Sequence, residues 1–185
     1  MKLFSQRGFE GVSVRDIAGE LELTAPALYV HFKSKQEILD AILSRMERRD
    51  FELSGMDDVP QKTIEETPEE YDNVDLSNLS RFTMDMFRYW TEDEFAVQFR
   101  HLLTIEQYRD SRFGELYQQY LGGGVVKYLE DIFSRNMEGD SHYLAVSLFS
   151  MFHFLLGQYD AVPTKKARKA ICRHLEEHLK KIIKK

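Results

Sequence analysis

A single cysteine, Cys172, among 185 residues leaves no intramolecular disulfide to form, which excludes the small secreted scaffolds that depend on such staples. Four prolines and ten glycines are too few for a collagen-like or low-complexity chain. No apolar run approaches the roughly 18 residues of a membrane span, so no membrane partner is expected. The opening MKLFSQRGFEG lacks the charged region followed by an apolar stretch that marks a secretory signal, so the expected location is the cytoplasm. Positive charge is also short: 25 Lys and Arg stand against 31 Asp and Glu, and a net charge of −6 argues against bulk electrostatic binding of nucleic acid or anionic membrane. No Asn-Gly or Asp-Gly hairpin signal occurs.

What is present is unevenly spread. Residues 1–50 balance eight basic against eight acidic groups, 51–162 carry eight basic against twenty-one acidic, and 163–185 carry nine basic against two acidic. The acids concentrate in Asp57–Asp75 (DDVPQKTIEETPEEYDNVD), which holds two of the four prolines and little apolar periodicity, and reads as a loop or hinge. Almost everywhere else the apolar spacing is helical, which predicts an all-α fold. Val14, Ile17, Ala18 and Leu21 fall at i, i+3, i+4 and i+7 behind Ser13, an N-cap that Asp16 completes as a capping box. Thr24 caps a second helix with Pro26 in its first turn and Leu28 and Phe32 on one face. Ser34-Lys35-Gln36-Glu37 is a further capping box, opening a helix that runs to about Leu53. Further helices are expected at about 76–90, 93–109, 112–136, 141–160 and 164–183.

Two short helices joined by a tight turn, the second presenting small and polar residues at its start, are the sequence form of a helix-turn-helix. The stretch FSQRGFEGVSVRDIAGELELTAPALYVHFKSKQEIL resembles the DNA-binding domain of the TetR/AcrR family of bacterial transcriptional regulators. The elements that carry the likeness are Leu3-Phe4, Gly8-Phe9, Ser13-Val14, Ile17-Ala18, Leu28-Tyr29, His31-Phe32 and Ser34-Lys35. The resemblance implies a DNA-binding head over 1–46 and a larger helical domain over 47–185 for effector binding and dimerisation. It begins partway along the family's first helix, whose first half has no counterpart ahead of Met1. It further implies a homodimeric regulator, a repressor by the family's usual mode, on a palindromic double-stranded operator, released by a small hydrophobic effector.

The chemistry of the residues fits that expectation. Tyr29, His31, Lys33 and Lys35 offer hydroxyl, ring N–H and ammonium donors of the kind that position a protein on phosphates; family members use the positions of Tyr29 and Lys35 in this way. Ser13 and Thr24 stand at helix N-termini, where free N–H groups attract anions, and Arg15 lies on the outer face of the first of the two helices. Ala25, Pro26, Ala27 and Val30 cannot donate side-chain hydrogen bonds, so base discrimination would rest on thymine methyls and DNA shape. Two departures stand out: Glu22 occupies the turn position where the family usually has Gly, which demands a positive φ or a reshaped turn, and Ala25 replaces a polar or basic side chain.

Residues 82–128 are rich in aromatics and Met, a composition that leaves apolar pockets with a few polar handles. The candidate effector contacts are Phe87, Trp90, Phe99, His101, Tyr108, Tyr117 and His153, although any one aromatic serves equally well as core. Residues 143–156 are apolar nearly all round, and the last helix carries a narrow stripe, so Leu148, Phe152, Leu155, Ile171, Leu175 and Leu179 are the candidate dimer contacts. Gly122-Gly123-Gly124 lacks the Gly-Lys-[Ser/Thr] of a phosphate loop and reads as a helix break or close crossing. His174 and His178 share a helix face, but no third ligand accompanies them, and no metal or cofactor is expected. No nucleophile elbow, catalytic triad order or dinucleotide fingerprint assembles, so an enzyme is not expected. The alternative to a regulator is a family relative that kept the dimer bundle and serves as an interaction protein with impaired DNA binding.

Overall fold

The computed structural model describes residues 1–162 and 164–183, and among these every regular element is helical. In chain order the helices are α1 (Lys2–Arg7), α2 (Val14–Glu20), α3 (Ala25–His31), α4 (Lys35–Asp57), α5 (Pro68–Tyr71), α6 (Leu76–Glu92), α7 (Glu94–Glu106), α8 (Ser111–Leu121), α9 (Gly123–Asn136), α10 (Ser141–Ala161) and α11 (Lys165–Ile183). The all-α expectation holds. Helix starts follow local chemistry: the Ser13–Asp16 capping box is complete, and the hydroxyl of Thr24 accepts from the Ala27 N–H. Ser34 caps α4 through the Glu37 N–H, but the Glu37 carboxylate accepts from the Lys33 N–H instead of closing the expected box on Ser34.

The head is built from α1 to α3 and the start of α4. Phe4, Phe9, Val12, Ala18, Leu28, Leu39 and Ile42 are buried in it. Its floor rests on the body, where α1 packs on α7 and the Phe9 ring lies 5.7 Å from that of Phe113 on α8. In the body, α6 packs against α4, α7, α10 and α11. Phe87 and Trp90 on α6 are fully enclosed, the former edge-on to Phe152 at 5.4 Å and the latter stacked on Phe99 at 6.3 Å. A guanidinium joins these layers: Arg100 on α7 makes two 2.8 Å bonds to Asp160 on α10 and donates to the Trp90 carbonyl.

Packing corrects three expectations and bears on a fourth. The single helix over 112–136 is two, α8 and α9, broken at Gly122 (φ −147°, ψ −136°), the outcome that the triple glycine left open. The helix from Ser34 continues past Leu53 to Asp57 and ends on Asp58 in the left-handed region (φ 53°); it crosses the 46/47 position without a break. The acidic stretch 57–75 is no free loop. Val59, Tyr71 and Val74 are buried in it, the Tyr71 hydroxyl donates to the Lys62 carbonyl at 2.7 Å, and Asn136 donates to the Tyr71 carbonyl. Finally, Leu148, Phe152, Leu155, Ile171, Leu175 and Leu179, the expected dimer contacts, are all buried within this one chain. The stripe of α11 packs on its own α10 and α6, and of these side chains Phe152 and Ile171 keep 8% and 7% of their surface.

Candidate functional site

The recognition region is α2, the turn Leu21–Thr24 and α3. At the turn Glu22 takes the positive φ, 56°, that glycine would adopt without strain. The resulting α3 is anchored by buried Leu28 and turns its other side outward. Pro26, Tyr29, His31 and Lys33 are exposed, and Val30 is 80% exposed. Ala25 and Ala27 lie half-buried at the start of the same helix. Arg15 is exposed on α2 and makes no ion pair among the described residues. These eight side chains therefore lie along one outward strip, together with Thr24 at its N-terminal end.

Two candidates are committed elsewhere. The Ser13 hydroxyl donates to Asp16 at 2.6 Å and accepts the Asp16 N–H, so it serves the cap of α2 rather than an external phosphate. The ammonium of Lys35 donates to the Phe9 carbonyl at 2.8 Å and lies 4.3 Å over the Phe9 ring, with Glu10 at 3.7 Å. It braces α4 to the loop after α1. Lys33→Ala is expected to lower the salt dependence of DNA binding by about one phosphate contact, with the fold unchanged; anisotropy titrations against salt measure this, and an unaltered slope would remove Lys33 from the interface.

The body holds a cavity of about 400 Å³ between α4, α6, α8, α9 and α10. Its walls are largely aromatic, with Phe82, Trp90, Tyr120, Tyr128 and Phe149, and α4 contributes Glu47, Asp50, Phe51 and Ser54. Of the seven expected effector contacts only Trp90 lines it. Phe87 and Phe99 are sealed in the core, and Tyr108 is 89% exposed on the outer surface. His101 faces Asp160 at 3.3 Å, while Tyr117 and His153 pair with each other at 2.9 Å, outside the cavity. Burial lowers the His153 pKa, reinforced by the charge of Arg100. Conversely Leu148 and Phe152, expected at a dimer contact, line the cavity.

Asp50 is the residue that the sequence reading passed over. A signal for it existed: Ile42, Met46, Asp50, Leu53 and Asp57 follow one another at helical spacing, so a carboxylate falls within the apolar stripe of α4. Burial, with the nearby charge of Glu47, pushes its pKa up to about 7.

Known proteins resemble this chain in two ways. The sequence model of bacterial regulatory proteins of the tetR family matches residues 1–42. The class C tetracycline repressor protein of Escherichia coli is 41% identical over 46 residues, which is 25% of this chain and 21% of that repressor. Along the whole length the likeness is one of fold. PfmR of Thermus thermophilus, a TetR family transcriptional regulator, superimposes with a TM-score of 0.62 at 22% identity, covering 97% of this chain and 93% of its own. GusR of Salmonella enterica gives 0.59 at 18% identity, covering 100% and 91%. The head matches the tetR-family model by sequence, and the whole chain matches TetR-family regulators by fold.

Proposed function

We propose that this protein is a cytoplasmic, ligand-responsive transcriptional repressor that binds a palindromic operator as a homodimer and leaves it when a small, largely apolar effector fills the cavity of the body. The observation that carries this reading is the course of α4. It is one unbroken helix of 23 residues, about 34 Å long at 1.5 Å per residue. It begins in the head, where Lys35 grips the Phe9 carbonyl, and further along its Glu47, Asp50, Phe51 and Ser54 wall the cavity. An occupant that displaces this wall tilts the head, because a helix transmits a tilt along its axis. The outward strip from Thr24 to Lys33 enters the major groove in this reading, with Tyr29, His31, Lys33 and Arg15 holding phosphates. Two heads then sit about 34–36 Å apart, one helical turn of DNA.

The second copy meets the face of α10 that the first leaves bare. Tyr143, Val146, Ser150, Phe154 and Gly157 recur at helical spacing along it, and Phe154 is 61% exposed. A large apolar side chain held in solvent beside small residues suits a helix from another subunit. Phe154→Glu is accordingly expected to give a folded monomer by light scattering and circular dichroism, whereas Leu148→Glu and Leu175→Glu place a carboxylate at fully buried positions and are expected to unfold the chain. A dimer of unchanged strength in Phe154→Glu would move the interface elsewhere.

The direct test is fluorescence anisotropy of the purified chain on the intergenic DNA beside its own gene, titrated with salt, against a random duplex. Tighter binding to the intergenic DNA is expected. Equal binding to both would favour a family relative that works through protein contacts instead.

A further inference from the structure

The chemistry of the cavity narrows its occupant. Both ionisable carboxyl groups that line it, Glu47 and Asp50, come from α4 one turn apart, and among the described residues no Lys, Arg or His lines it. The Asp50 Oδ1 atom is shut off from solvent and accepts no hydrogen bond. Of the cations nearest in sequence, Arg45 lies 3.9 Å over the Phe95 ring, Arg49 pairs with Glu52 at 3.0 Å and lies over Tyr89, and Arg48 is exposed and does not line the cavity. From the other helices Asp50 is faced by phenols, Tyr89 on α6 and Tyr120 on α8, whose pKa values are raised by burial and then by the charge of Asp50. Tyr128 on α9 spends its hydroxyl on the Pro60 carbonyl. The cavity thus presents an acceptor that lacks a donor, a negative field and several aromatic faces.

Resting on the reading of this cavity as the effector site, we propose that the effector is a protonated amine carried on an aromatic or aliphatic body, its ammonium donating to Asp50 and its body lying among Trp90, Tyr120, Tyr128 and Phe149. A neutral molecule without an O–H or N–H leaves Oδ1 unsatisfied, at the full cost of a buried polar group, and a neutral donor such as an alcohol supplies the hydrogen bond without the opposite charge. An anion meets two carboxyl groups at short range. An ammonium supplies both the missing donor and the opposite charge, and the ring faces add cation–π attraction. A quaternary ammonium has the charge without the N–H, so an amine is preferred. The site is also coupled to protons. Without ligand Asp50 takes up a proton near pH 7, and the bound cation holds it ionised. Binding near pH 6 therefore releases a proton, and affinity tightens about tenfold between pH 6 and pH 8, the ratio of the ionised fractions.

The test uses the full chain and a matched series of 4-biphenylylbutylamine, the corresponding alcohol and the corresponding carboxylate. Binding is read by calorimetry and by the fluorescence of Trp90, the chain's single tryptophan, which lines the cavity. At pH 8 the amine is expected to bind at least tenfold more tightly than the alcohol, with the carboxylate weakest, and only the amine is expected to tighten with pH. In Asp50→Asn the preference for the amine and its pH dependence disappear while the alcohol still binds. This variant keeps the shape of the side chain and removes a buried charge, so its Tm at pH 8 is expected to exceed that of the unaltered chain, the gap closing as the pH falls below 7. The inference is overturned if the alcohol or carboxylate matches the amine, or if Asp50→Asn retains the preference. Alcohol binding that releases DNA with no advantage for the amine sinks this inference alone; no response from any of the three sinks the effector cavity with it.

Discussion

Asp160→Ala is expected to destabilise the protein by about 3–5 kcal/mol, the cost of leaving a buried ion without its partner. Arg100 is only 7% exposed, and its guanidinium is satisfied by both Asp160 oxygens and the Trp90 carbonyl. Removing the carboxylate leaves a largely buried guanidinium with the Trp90 carbonyl and only the solvent that reaches it from the Asp160 side. For a chain of this size the loss corresponds to a fall in Tm of about 10 °C. Replacing both partners with leucine is expected to recover much of it, since the penalty comes from the orphaned charge and not from the absence of a pair. Burial alone would raise the Asp160 pKa, but the hydrogen bonds and charge of Arg100, with help from His101, overcome it and hold the carboxyl below the usual range. A lowered pKa adds stability that is present above the ordinary carboxylate value and is lost as the pH falls through the folded value. The gap between the parent and Asp160→Ala is therefore expected to narrow below about pH 4. Calorimetric scans across pH measure both effects, and a drop of less than about 2 °C at pH 7 would show that Arg100 finds another partner.

Gly8→Ala carries the second large effect, at the joint between head and body. Gly8 has φ 75° and ψ 172°, a region open essentially to glycine alone. A Cβ there would stand 2.0 Å from Oε1 of Glu106, the atom that accepts the Phe9 N–H at 3.1 Å. Glu106 is buried, so it cannot yield without leaving that N–H unpaired. Backbone strain of about 1–3 kcal/mol and an unsatisfied buried donor of about 1–3 kcal/mol sum to about 2–6 kcal/mol. Urea unfolding measures the loss. Operator affinity is expected to fall further than the folded fraction accounts for, because the head loses its seat on α7; affinity that tracks the folded fraction would mean that this seat does not orient the head. Glu106→Gln keeps an oxygen at the same place and is expected to cost much less.

These two joints form one line through the molecule. Arg100 and Glu106 stand on the same helix, α7, the first tied to the end of α10 and the second to the loop behind α1. The proposed dimer face on α10 and the proposed DNA-binding head are thus braced by a single element. Under the proposed mechanism, displacement of α4 by a ligand would act against that brace and so change the spacing of two heads held by their α10 helices.

The head was readable from residues alone because its signals act within a turn or two. Ser13 and Thr24 cap their own helices, Leu28 finds the inside through its spacing, and Glu22 takes the positive φ that was one of the two outcomes open to it in the turn. The bond that Lys35 makes was not readable for the opposite reason: its partner, the Phe9 carbonyl, lies 26 residues away and comes near only when α4 folds back on α1. Which candidate effector residues line the cavity was hidden for the same reason. Phe87, Phe99 and Trp90 are alike as aromatic residues on amphipathic helices, and only the arrangement of five helices leaves one of them facing a void.

What the sequence determined by itself was the all-α class and the position and caps of the helix-turn-helix, since each depends on backbone and side-chain chemistry between near neighbours. The tertiary structure alone decided which face of α10 and α11 lies inside, which side chains enclose the cavity, and why Gly8 must be glycine. Those outcomes hang on contacts such as Arg100 with Asp160, 60 residues apart, and Phe9 with Glu106, 97 apart. Burial is a property of the partner that a face meets, and an apolar stripe specifies that it will be covered without specifying by what.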